Sequence, residues 1–442
     1  MGVCSMSIDV RRRLDEGAFG AFHRRLIFVG GFGILFDSLD VGILSFVMAA
    51  LILAWKLGPT TIGLVGSINL VGMAIGAAVA GTLADRYGRR TVFLVTLLVY
   101  SLATGITGFA TSVGFLIVMR FLVGVGLGGE LPVTTTLVTE FLPRPLRGRG
   151  IVWLESFWAV GWIVAALVAF FLIPAFSWRI GFFVGAIPAL YALYLRRGIP
   201  ESPRYLWQAG DRAKATAVAR AALGEAGVAE LSSARAQAAP VSALFAPGRA
   251  RTTIALWVLW LTMNFAYYGM FLWLPSVLVE RGFTLVHSFG YVLLVTLVQL
   301  PGYLSAGWLV ERWGRRAVLA LYLLLAAAAA IGFGFATAPG MIVLFGCLLG
   351  FFNLGAWGVT YAYTTEQYPT LLRGTGSGWA MGVGRVGGIV APFLVGSLLA
   401  THTSIVTIFV MFAIAMLVAL VAGLLVGRET MGRSLEEITG EA

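Results

Sequence analysis

Residues 81–90 read Gly-Thr-Leu-Ala-Asp-Arg-Tyr-Gly-Arg-Arg, and residues 307–316 read Gly-Trp-Leu-Val-Glu-Arg-Trp-Gly-Arg-Arg, the same pattern displaced by 226 positions. The same displacement relates Glu140 to Glu366 and Arg147 to Arg373. A fixed displacement that holds over about eighty residues indicates that one half of the chain duplicates the other. In a membrane protein, paired halves are typical of transporters that bind their substrate where the halves meet.

The composition predicts a membrane protein. Hydrophobic residues make up 59% of the chain, charged residues make up 12%, and the mean hydropathy is +0.91. These values exclude a water-soluble enzyme. Because roughly 20 apolar residues cross the hydrocarbon core, the sequence divides into twelve candidate spans. They are 26–53, 60–83, 91–110, 113–136, 150–173, 179–196, 252–279, 286–310, 317–337, 340–365, 375–400 and 404–427.

The spans and the repeat together predict the organisation of the chain. The fold class is an all-α membrane protein with twelve transmembrane helices in two six-helix bundles related by pseudo-symmetry. A polar, alanine-rich segment separates the two copies, and its composition favours one or two short helices between Asp211 and Ala239. The predicted parts are a tail at 1–23, bundles at 24–196 and 252–427, a linker at 197–251 and a tail at 428–442.

The formal charge of +11 is distributed unevenly. Lys56, Arg179 and Arg281 fall on one side of the predicted membrane, Arg120 and Arg385 fall within spans, and the remaining 26 of the 31 basic residues fall on the side of both termini. Basic loops remain in the cytoplasm, so both termini are predicted to be cytoplasmic. The charge therefore reflects topology in an inner membrane rather than a nucleic-acid partner.

Two further features concern processing and cofactors. The first residues lack an apolar run and include three successive arginines, which predicts no cleavable signal peptide. The two cysteines, Cys4 and Cys347, are too few for a disulfide framework or a metal site. We expect no metal, no cofactor and no catalytic residue.

Six ionisable residues fall inside predicted spans and away from the span ends. A charge at membrane depth costs about 3 kcal/mol, so such residues usually face a cavity or a partner. With a rise of about 1.5 Å per residue, Asp37, Glu130 and Arg385 lie roughly 18, 15 and 18 Å from the cytoplasmic edge, near the middle of a core about 30 Å thick. The others are Asp40 and Arg120, which are deeper, and Glu155, which lies only about 9 Å in. The three central residues predict a cavity.

Two aspartates of the first span allow more than one interpretation. Asp40 is either a permanently ionised partner of Arg120 or a proton carrier whose protonation releases that arginine. Burial and a nearby guanidinium act in opposite directions on a carboxyl group, so a conformational change would move its proton affinity. Asp37 is a second proton site, a substrate contact or a packing residue, and the sequence leaves these three open.

Arg385 is the candidate anion-binding residue. Its guanidinium suits bidentate binding of a carboxylate, and no acidic residue lies near it on its own span. A salt bridge from Arg385 to Glu130 or Asp37 is the alternative. The polar and aromatic residues expected around a substrate are Trp158, Trp162, Asn264, Tyr267, Tyr268, Gln299, Asn353, Trp357 and Tyr361.

Glycine-rich runs lie within the spans. Gly124, Gly126, Gly128 and Gly129 form one run, and residues 382–388 contain another. No strand precedes either run, as a nucleotide-binding loop would require. Small residues allow helices to approach closely in lipid, so we interpret both runs as packing surfaces.

The repeated loops resemble the signature of the major facilitator superfamily, and the resemblance extends from about Arg24 to Glu437. Pro200-Glu201-Ser202-Pro203-Arg204-Tyr205-Leu206 and the tail 429–437 resemble motifs of its sugar porters, although Arg428 and Met431 depart from the tail pattern. The resemblance implies a gate of ion pairs that closes the cytoplasmic side. Its residues are Asp85, Arg86, Arg89, Arg90, Glu140, Arg147, Glu201, Arg204, Glu311, Arg312, Arg315, Arg316, Glu366 and Arg373.

The resemblance also bears on substrate and coupling. Proton-coupled members pair an aspartate of the first span with an arginine of the fourth, which are the positions of Asp40 and Arg120. The segments 36–41 and 384–387 are similar to aromatic-acid symporters, and 128–132 is similar to bacterial niacin transporters related to synaptic vesicle proteins. These similarities imply a monomeric, proton-coupled importer of a small aromatic carboxylate, with nicotinate first. A sugar or polyol porter and a drug or metabolite exporter remain alternatives, and a receptor without transport leaves the buried charges unexplained.

Overall fold

The computed structural model describes residues 21–141, 147–192, 200–220, 240–368 and 372–425, and these residues form helices and no strands. In lipid a chain must satisfy its backbone hydrogen bonds internally, which a helix does within one segment. Within the described residues, eleven helices are long and apolar enough to cross a membrane. This confirms the predicted fold class.

In its described residues, the first half contains five long helices and one short one, which the helical segment 188–192 follows. They are α1 (Ala21–Ala54), α2 (Pro59–Tyr87), α3 (Arg89–Thr107), α4 (Val113–Phe141), α5 (Arg147–Phe171) and α6 (Trp178–Val184). A turn at 185–187 interrupts α6, and the chain is helical again from Pro188 to Ala192. Proline lacks the backbone N–H that a continuous helix needs. The sixth predicted span, 179–196, is therefore broken, and its last residues lie outside the described ranges.

The second half follows a short helix, α7 (Pro203–Gln208). Its membrane helices are α8 (Ala250–Phe271), α9 (Leu274–Glu280), α10 (Leu285–Trp313), α11 (Arg315–Phe335), α12 (Pro339–Glu366), α13 (Arg373–Ala400) and α14 (Ile405–Leu425). The seventh predicted span, 252–279, is thus two helices, and Pro275 lies in the first turn of the second one. The other spans of this half agree with the prediction to within a few residues.

The linker is partly described. The Ser202 hydroxyl caps α7 by accepting a hydrogen bond from the Tyr205 amide. Residues 212–220 are helical, as the alanine-rich composition predicts, and Ala215 and Ala219 are fully buried. A 3₁₀ helix, Val241–Phe245, precedes α8.

Gly88 and Gly314 explain why the repeated loops are so short. Each is the one residue between two membrane helices, and their φ angles are 97° and 83°. Side chains disfavour this left-handed region, whereas glycine adopts it readily. The loop signature therefore specifies a single-residue turn in both halves.

The repeat extends to the closest helix contacts. A Cβ atom added to Gly76 of α2 would clash with the carbonyl oxygen of Val125 in α4. A Cβ atom added to Gly302 of α10 would clash with the carbonyl oxygen of Phe351 in α12. Both members of the second pair lie 226 residues after those of the first. Small residues thus bring equivalent helices together in each half.

A second pair of contacts follows the same rule. A Cβ atom on Gly161 would meet the carbonyl oxygen of Leu35, and one on Gly387 would meet the carbonyl oxygen of Leu261. These positions are again related by 226 residues. The glycines that the sequence assigns to packing therefore include Gly387, and the pseudo-symmetry is present in the atomic contacts.

The chain forms two compact units. The first comprises the described residues within Met1–Ser38, Val71–Gly161 and Phe182–Gln237, and the second comprises those within Leu39–Leu70, Trp162–Gly181 and Ala238–Ala442. The second unit thus contains parts of α1, α2, α5 and α6 together with the whole described second half. The bundle boundaries 24–196 and 252–427 were predicted from sequence duplication and stay predictions.

Within the second unit, serines of α1 and α2 bind the backbone of other helices. Ser45 Oγ donates to the carbonyl oxygens of Phe271 and Leu272, each at 2.9 Å. Ser67 Oγ donates to the carbonyl oxygen of Ile389 at 2.6 Å and accepts from the Phe393 amide at 3.0 Å. These contacts join segments of both sequence halves at the ends of the helices that lie away from the termini.

Candidate functional site

The acidic residues of the first unit form a contact that the sequence did not predict. Asp37 of α1 and Glu130 of α4 are 1% and 0% exposed, and their carboxyl groups lie within hydrogen-bonding reach of each other. Gly33, one turn before Asp37, leaves room for this contact, because a Cβ there would clash with Oε1 of Glu130. The ring of Phe93 in α3 lies beside the same position. The structure therefore joins two of the three residues predicted at mid-membrane depth.

Arg120 is fully buried in α4. Its Nη2 atom donates to the hydroxyl oxygens of Thr104 and Thr107 at 3.2 and 3.5 Å, and its guanidinium lies 4.8 Å from the centre of the Phe182 ring. Asp40 is 1% exposed. The pairing of Asp40 with Arg120 stays a prediction.

Aromatic side chains of the second unit form a ring cluster. Tyr267 is its centre, with ring centroids 5.0 Å from Phe271 and from Trp357, 5.2 Å from Tyr268 and 6.5 Å from Trp162. Trp260 extends the cluster, since its ring lies 5.8 Å from Trp357 and 4.8 Å from Tyr361. We define the ring cluster as Trp162, Trp260, Tyr267, Phe271, Trp357 and Tyr361. It can bind a flat ring by edge and face contacts.

Two members of the ring cluster, Trp260 and Phe271, were absent from the predicted site. The sequence nevertheless carried a signal for them. Trp260, Asn264, Tyr267 and Phe271 follow one another at intervals of four, three and four residues, which places them on one face of α8. Trp158, which was predicted with them, is half-buried in the first unit.

Three amide side chains are buried in the helices that carry the ring cluster or pack against them. Asn264 donates from Nδ2 to the Trp260 carbonyl at 2.8 Å. Gln299 is 0% exposed, and neither polar atom of its amide has a partner in the described part of the chain. The Oδ1 atom of Asn353 is also without a partner there. A buried polar group that lacks a hydrogen bond is costly, so such groups indicate a place for a polar ligand or water.

Arg385 lies on α13 and is half-buried. The residue before it, Gly384, packs directly on α8, because a Cβ there would lie 2.8 Å from Nδ2 of Asn264 and 3.0 Å from the Trp260 carbonyl. Within its own compact unit, the described residues provide Arg385 with no hydrogen-bond or ion-pair partner. Its guanidinium is therefore available to an anion beside the helix that carries half of the ring cluster.

The predicted gate forms short-range contacts in each unit. In the first unit, Arg89 Nη2 lies 2.8 Å from Asp85, and Glu201 accepts a hydrogen bond from the Arg90 amide at 3.1 Å. The Tyr205 hydroxyl donates to the Arg86 carbonyl at 3.2 Å. Glu201 thus ties the linker to the start of α3, and its part in a gate of ion pairs stays a prediction.

The corresponding loop of the second unit uses a different partner. Both Nε and Nη2 of Arg315 donate to the Glu366 carboxylate, each at 3.0 Å. Arg316 donates to the Leu424 carbonyl at 3.0 Å, and Arg312 stacks on Trp308 at 3.9 Å. Glu311 is exposed. The side chains of Glu140, Arg147, Arg204 and Arg373 lie outside the described residues.

Membrane-spanning helices with buried acids, a ring cluster and paired single-residue loops are the features of a multi-pass membrane transporter. The chain belongs to the sugar (and other) transporter family, whose model matches residues 54–441. This confirms the resemblance to the major facilitator superfamily.

Relatives support the same class. The chain is 46% identical to the niacin transporter NiaP of Acinetobacter baylyi, over 98% of this chain and 100% of that protein. It is 48% identical to a putative niacin/nicotinamide transporter NiaP of Bacillus subtilis, over 93% of this chain and 98% of that protein. Among solved structures, the inward open xylose transporter XylE of E. coli is similar with a TM-score of 0.76, covering 94% of this chain and 99% of that chain at 20% identity. At that identity the likeness shows the fold alone.

Proposed function

We propose that this protein is a proton-coupled importer of a small aromatic carboxylate, and that nicotinate is its substrate. It is placed in the bacterial inner membrane as a monomer with both termini in the cytoplasm, in keeping with the distribution of basic residues. Transport proceeds by alternating access, as expected for paired halves.

The observation that carries the proposal is that Gly384, the neighbour of Arg385 on α13, packs on Trp260 of the ring cluster. A pyridine carboxylate has a flat ring for stacking and an anion for a guanidinium. Arg385 follows Gly384, which packs on Trp260 and Asn264, and the ring cluster lies on the same face of α8 as both residues. The buried amide of Gln299 supplies a donor for a ring nitrogen. The names of both bacterial relatives include niacin, which supports the same substrate class.

Buried acids of the first half are the proposed proton carriers. Asp40 with Arg120, and Asp37, are the candidate carriers. Deep acids of this kind are typical of proton relays in transporters. Asp40→Asn is expected to retain substrate exchange while it loses accumulation against a gradient.

A sugar or polyol porter is the second candidate. Three buried amides, Asn264, Gln299 and Asn353, favour hydroxyl-bearing ligands, and the description of the family includes sugars. A carboxylate is not needed for such a ligand, so the role of Arg385 separates the two candidates. An exporter would use the same residues with the opposite direction of net flux.

Uptake into proteoliposomes tests the proposal. We expect labelled nicotinate to accumulate under an inward proton gradient and to stop accumulating when a protonophore is added. Unlabelled benzoate should compete, because it keeps the ring and the anion, whereas nicotinamide, which lacks the anion, and xylose should compete far less. Equal competition by xylose would favour the sugar porter. Uptake that ignores the protonophore would reject proton coupling.

A further inference from the structure

We propose that Asp37 and Glu130 form a carboxyl pair that shares one proton, and that this pair is a proton-binding site of the transporter, separate from the candidate carrier Asp40. The role of this proton in transport rests on the proposed function. The presence of the shared proton does not rest on the proposed function, since the geometry of the pair implies it.

Glu130 supplies the first step of the argument. It is 0% exposed, and in the described part of the chain no N–H or O–H group donates a hydrogen bond to either of its carboxyl oxygens. The group that faces it is the carboxyl of Asp37, which is 1% exposed. Two ionised carboxylates have no hydrogen to donate to each other, and burial leaves their repulsion poorly screened. The contact is therefore favourable only when one of the two carries a proton.

The internal repeat supplies a second step. The residues 226 positions after Asp37 and Glu130 are Met263 and Ala356, which are buried in one hydrophobic cluster between α8 and α12. Thr360, the equivalent of Thr134, donates to the sulfur of Met263 at 3.0 Å. The first and fourth helices of a half thus pack at this position without any charge. Because apolar residues satisfy the packing, the two acids of the first half serve another purpose.

Other titratable groups lie on the elements that pack around the pair. On α1, Asp40 lies one turn beyond Asp37. On α4, Arg120 lies ten residues before Glu130. The Arg120 guanidinium contacts the hydroxyls of Thr104 and Thr107 in α3 and the Phe182 ring. The α5 helix contributes Glu155, which is 5% exposed. Segment 188–192 contributes Tyr191, whose hydroxyl donates to the Val29 carbonyl at 2.9 Å. The α3 helix contributes the Phe93 ring, and its basic residues Arg89 and Arg90 lie at its start, beside Asp85 and Glu201.

The chemistry of the step is a simple proton exchange. In the bound state, the hydroxyl of one carboxylic acid donates to an oxygen of the other, which is ionised. Release transfers that proton to water and leaves two carboxylates in contact. This second state is favourable only when water reaches the pair, so release is tied to the conformation that admits water.

Glu130→Gln tests the inference. The amide keeps a hydrogen bond to Asp37 and cannot release a proton. We expect accumulation of nicotinate to fall at least tenfold, whereas nicotinate exchange, which needs no net proton movement, falls far less. Glu155→Gln is the matched control, since it removes another buried glutamate of the first half, and we expect it to accumulate nicotinate as the wild type does.

Infrared spectroscopy tests the pair without transport. The wild-type protein should show the C=O stretch of a protonated carboxyl group near neutral pH, and this band should disappear in Glu130→Gln and persist in Asp40→Asn. If the wild type shows the band but does not transport nicotinate, the substrate proposal fails and the pair stands. If Glu130→Gln retains the band or accumulates nicotinate like the wild type, the pair is not a proton site.

A second variant distinguishes loss of the proton site from loss of the fold. Asp37→Met combined with Glu130→Ala copies the apolar pair that the second half uses at the same position. We expect this double variant to be folded, as judged by its thermal transition, to lack the infrared band and to have lost proton-driven accumulation. A band that persists in the folded double variant would overturn the assignment.

Discussion

The two halves of the molecule agree where helices touch and differ where a substrate or a proton would bind. Gly76 and Gly302 contact backbone carbonyls at equivalent positions, and so do Gly161 and Gly387. By contrast, the positions equivalent to Asp37 and Glu130 are Met263 and Ala356, and the position equivalent to Arg385 is Ala159. The duplication therefore kept the helix contacts and the loops, while the interiors of the halves diverged.

This difference indicates a division of labour. Acids are buried in the first half, whereas most rings of the ring cluster and Arg385 belong to the second half. Trp162 is the exception, because it lies in the sequence of the first half and packs with Tyr267 inside the second compact unit. If the proposed function holds, proton binding and substrate binding belong to different halves, and substitutions should separate them.

The largest expected effect concerns the shared helix contacts. Gly76→Ala and Gly302→Ala should each destabilise the protein by about 3 kcal/mol or more, because a methyl group would overlap a backbone carbonyl that cannot move aside. Gly81→Ala and Gly307→Ala are the controls, since a Cβ at these equivalent positions has open space around it. Thermal unfolding in detergent measures the difference. If Gly76→Ala unfolds at the temperature of Gly81→Ala, the interpretation of the repeat as a packing rule is wrong.

The next largest effect is expected on nicotinate binding when Arg385, which has no counterpart in the first half, is replaced. Arg385→Gln should weaken nicotinate binding about 10- to 150-fold, since a hydrogen bond to a charged group contributes about 1.5–3 kcal/mol. Arg385→Lys should recover part of the affinity, because the charge returns without the bidentate fork. Titration calorimetry measures both. Arg179→Ala, which removes an arginine stacked on Trp178, should bind nicotinate like the wild type.

The ring cluster provides a smaller effect. Trp357→Leu places at this position the residue type that the first half has at its equivalent, Leu131. Affinity for nicotinate should fall by about 0.5–1.5 kcal/mol, which is the range for an aromatic pair. Trp357→Phe should lose less, because a ring remains to pack against Tyr267. Equal losses in the two variants would show that bulk rather than aromaticity matters.

The smallest expected effect is the difference in stability between variants of the two repeated loops. Glu366→Gln breaks a bidentate pair whose side chains are each 23% exposed, whereas Asp85→Asn breaks a contact in which the aspartate is 73% exposed. We expect a loss of about 1 kcal/mol for Glu366→Gln and a few tenths for Asp85→Asn, because exposed ion pairs contribute little. Chemical denaturation of both variants tests the order, and the reverse order would contradict it.

Much of the fold followed from the sequence. The 226-residue displacement and the apolar spans predicted the helices, because lipid requires each crossing segment to be helical over about 20 residues. The sixth span was one exception, since hydropathy does not detect the turn that Pro188 imposes. The split of the seventh span before Pro275 escaped prediction for the same reason.

The candidate site was predicted in part. Rise per residue gave the depths of Asp37, Glu130 and Arg385, but it gives no rotation about the helix axis. For that reason their depths alone did not show that Asp37 faces Glu130. Nothing in the sequence marked Gly33 as the small residue that permits this contact. Trp260 and Phe271, in contrast, were predictable from their spacing with Tyr267 on α8.

Ser67 has a consequence for how α13 can change partners. Its hydroxyl accepts from the Phe393 amide and donates to the Ile389 carbonyl, which are the donor and acceptor of one ordinary turn of helix. When α2 withdraws, those two backbone groups can bond to each other, so separation of the segments leaves no orphaned backbone group in lipid. In Ser67→Ala, hydrogen exchange should therefore find the Phe393 amide still protected. Loss of the Ser67 contacts therefore costs α13 little hydrogen-bond energy, because a bond within α13 can replace them.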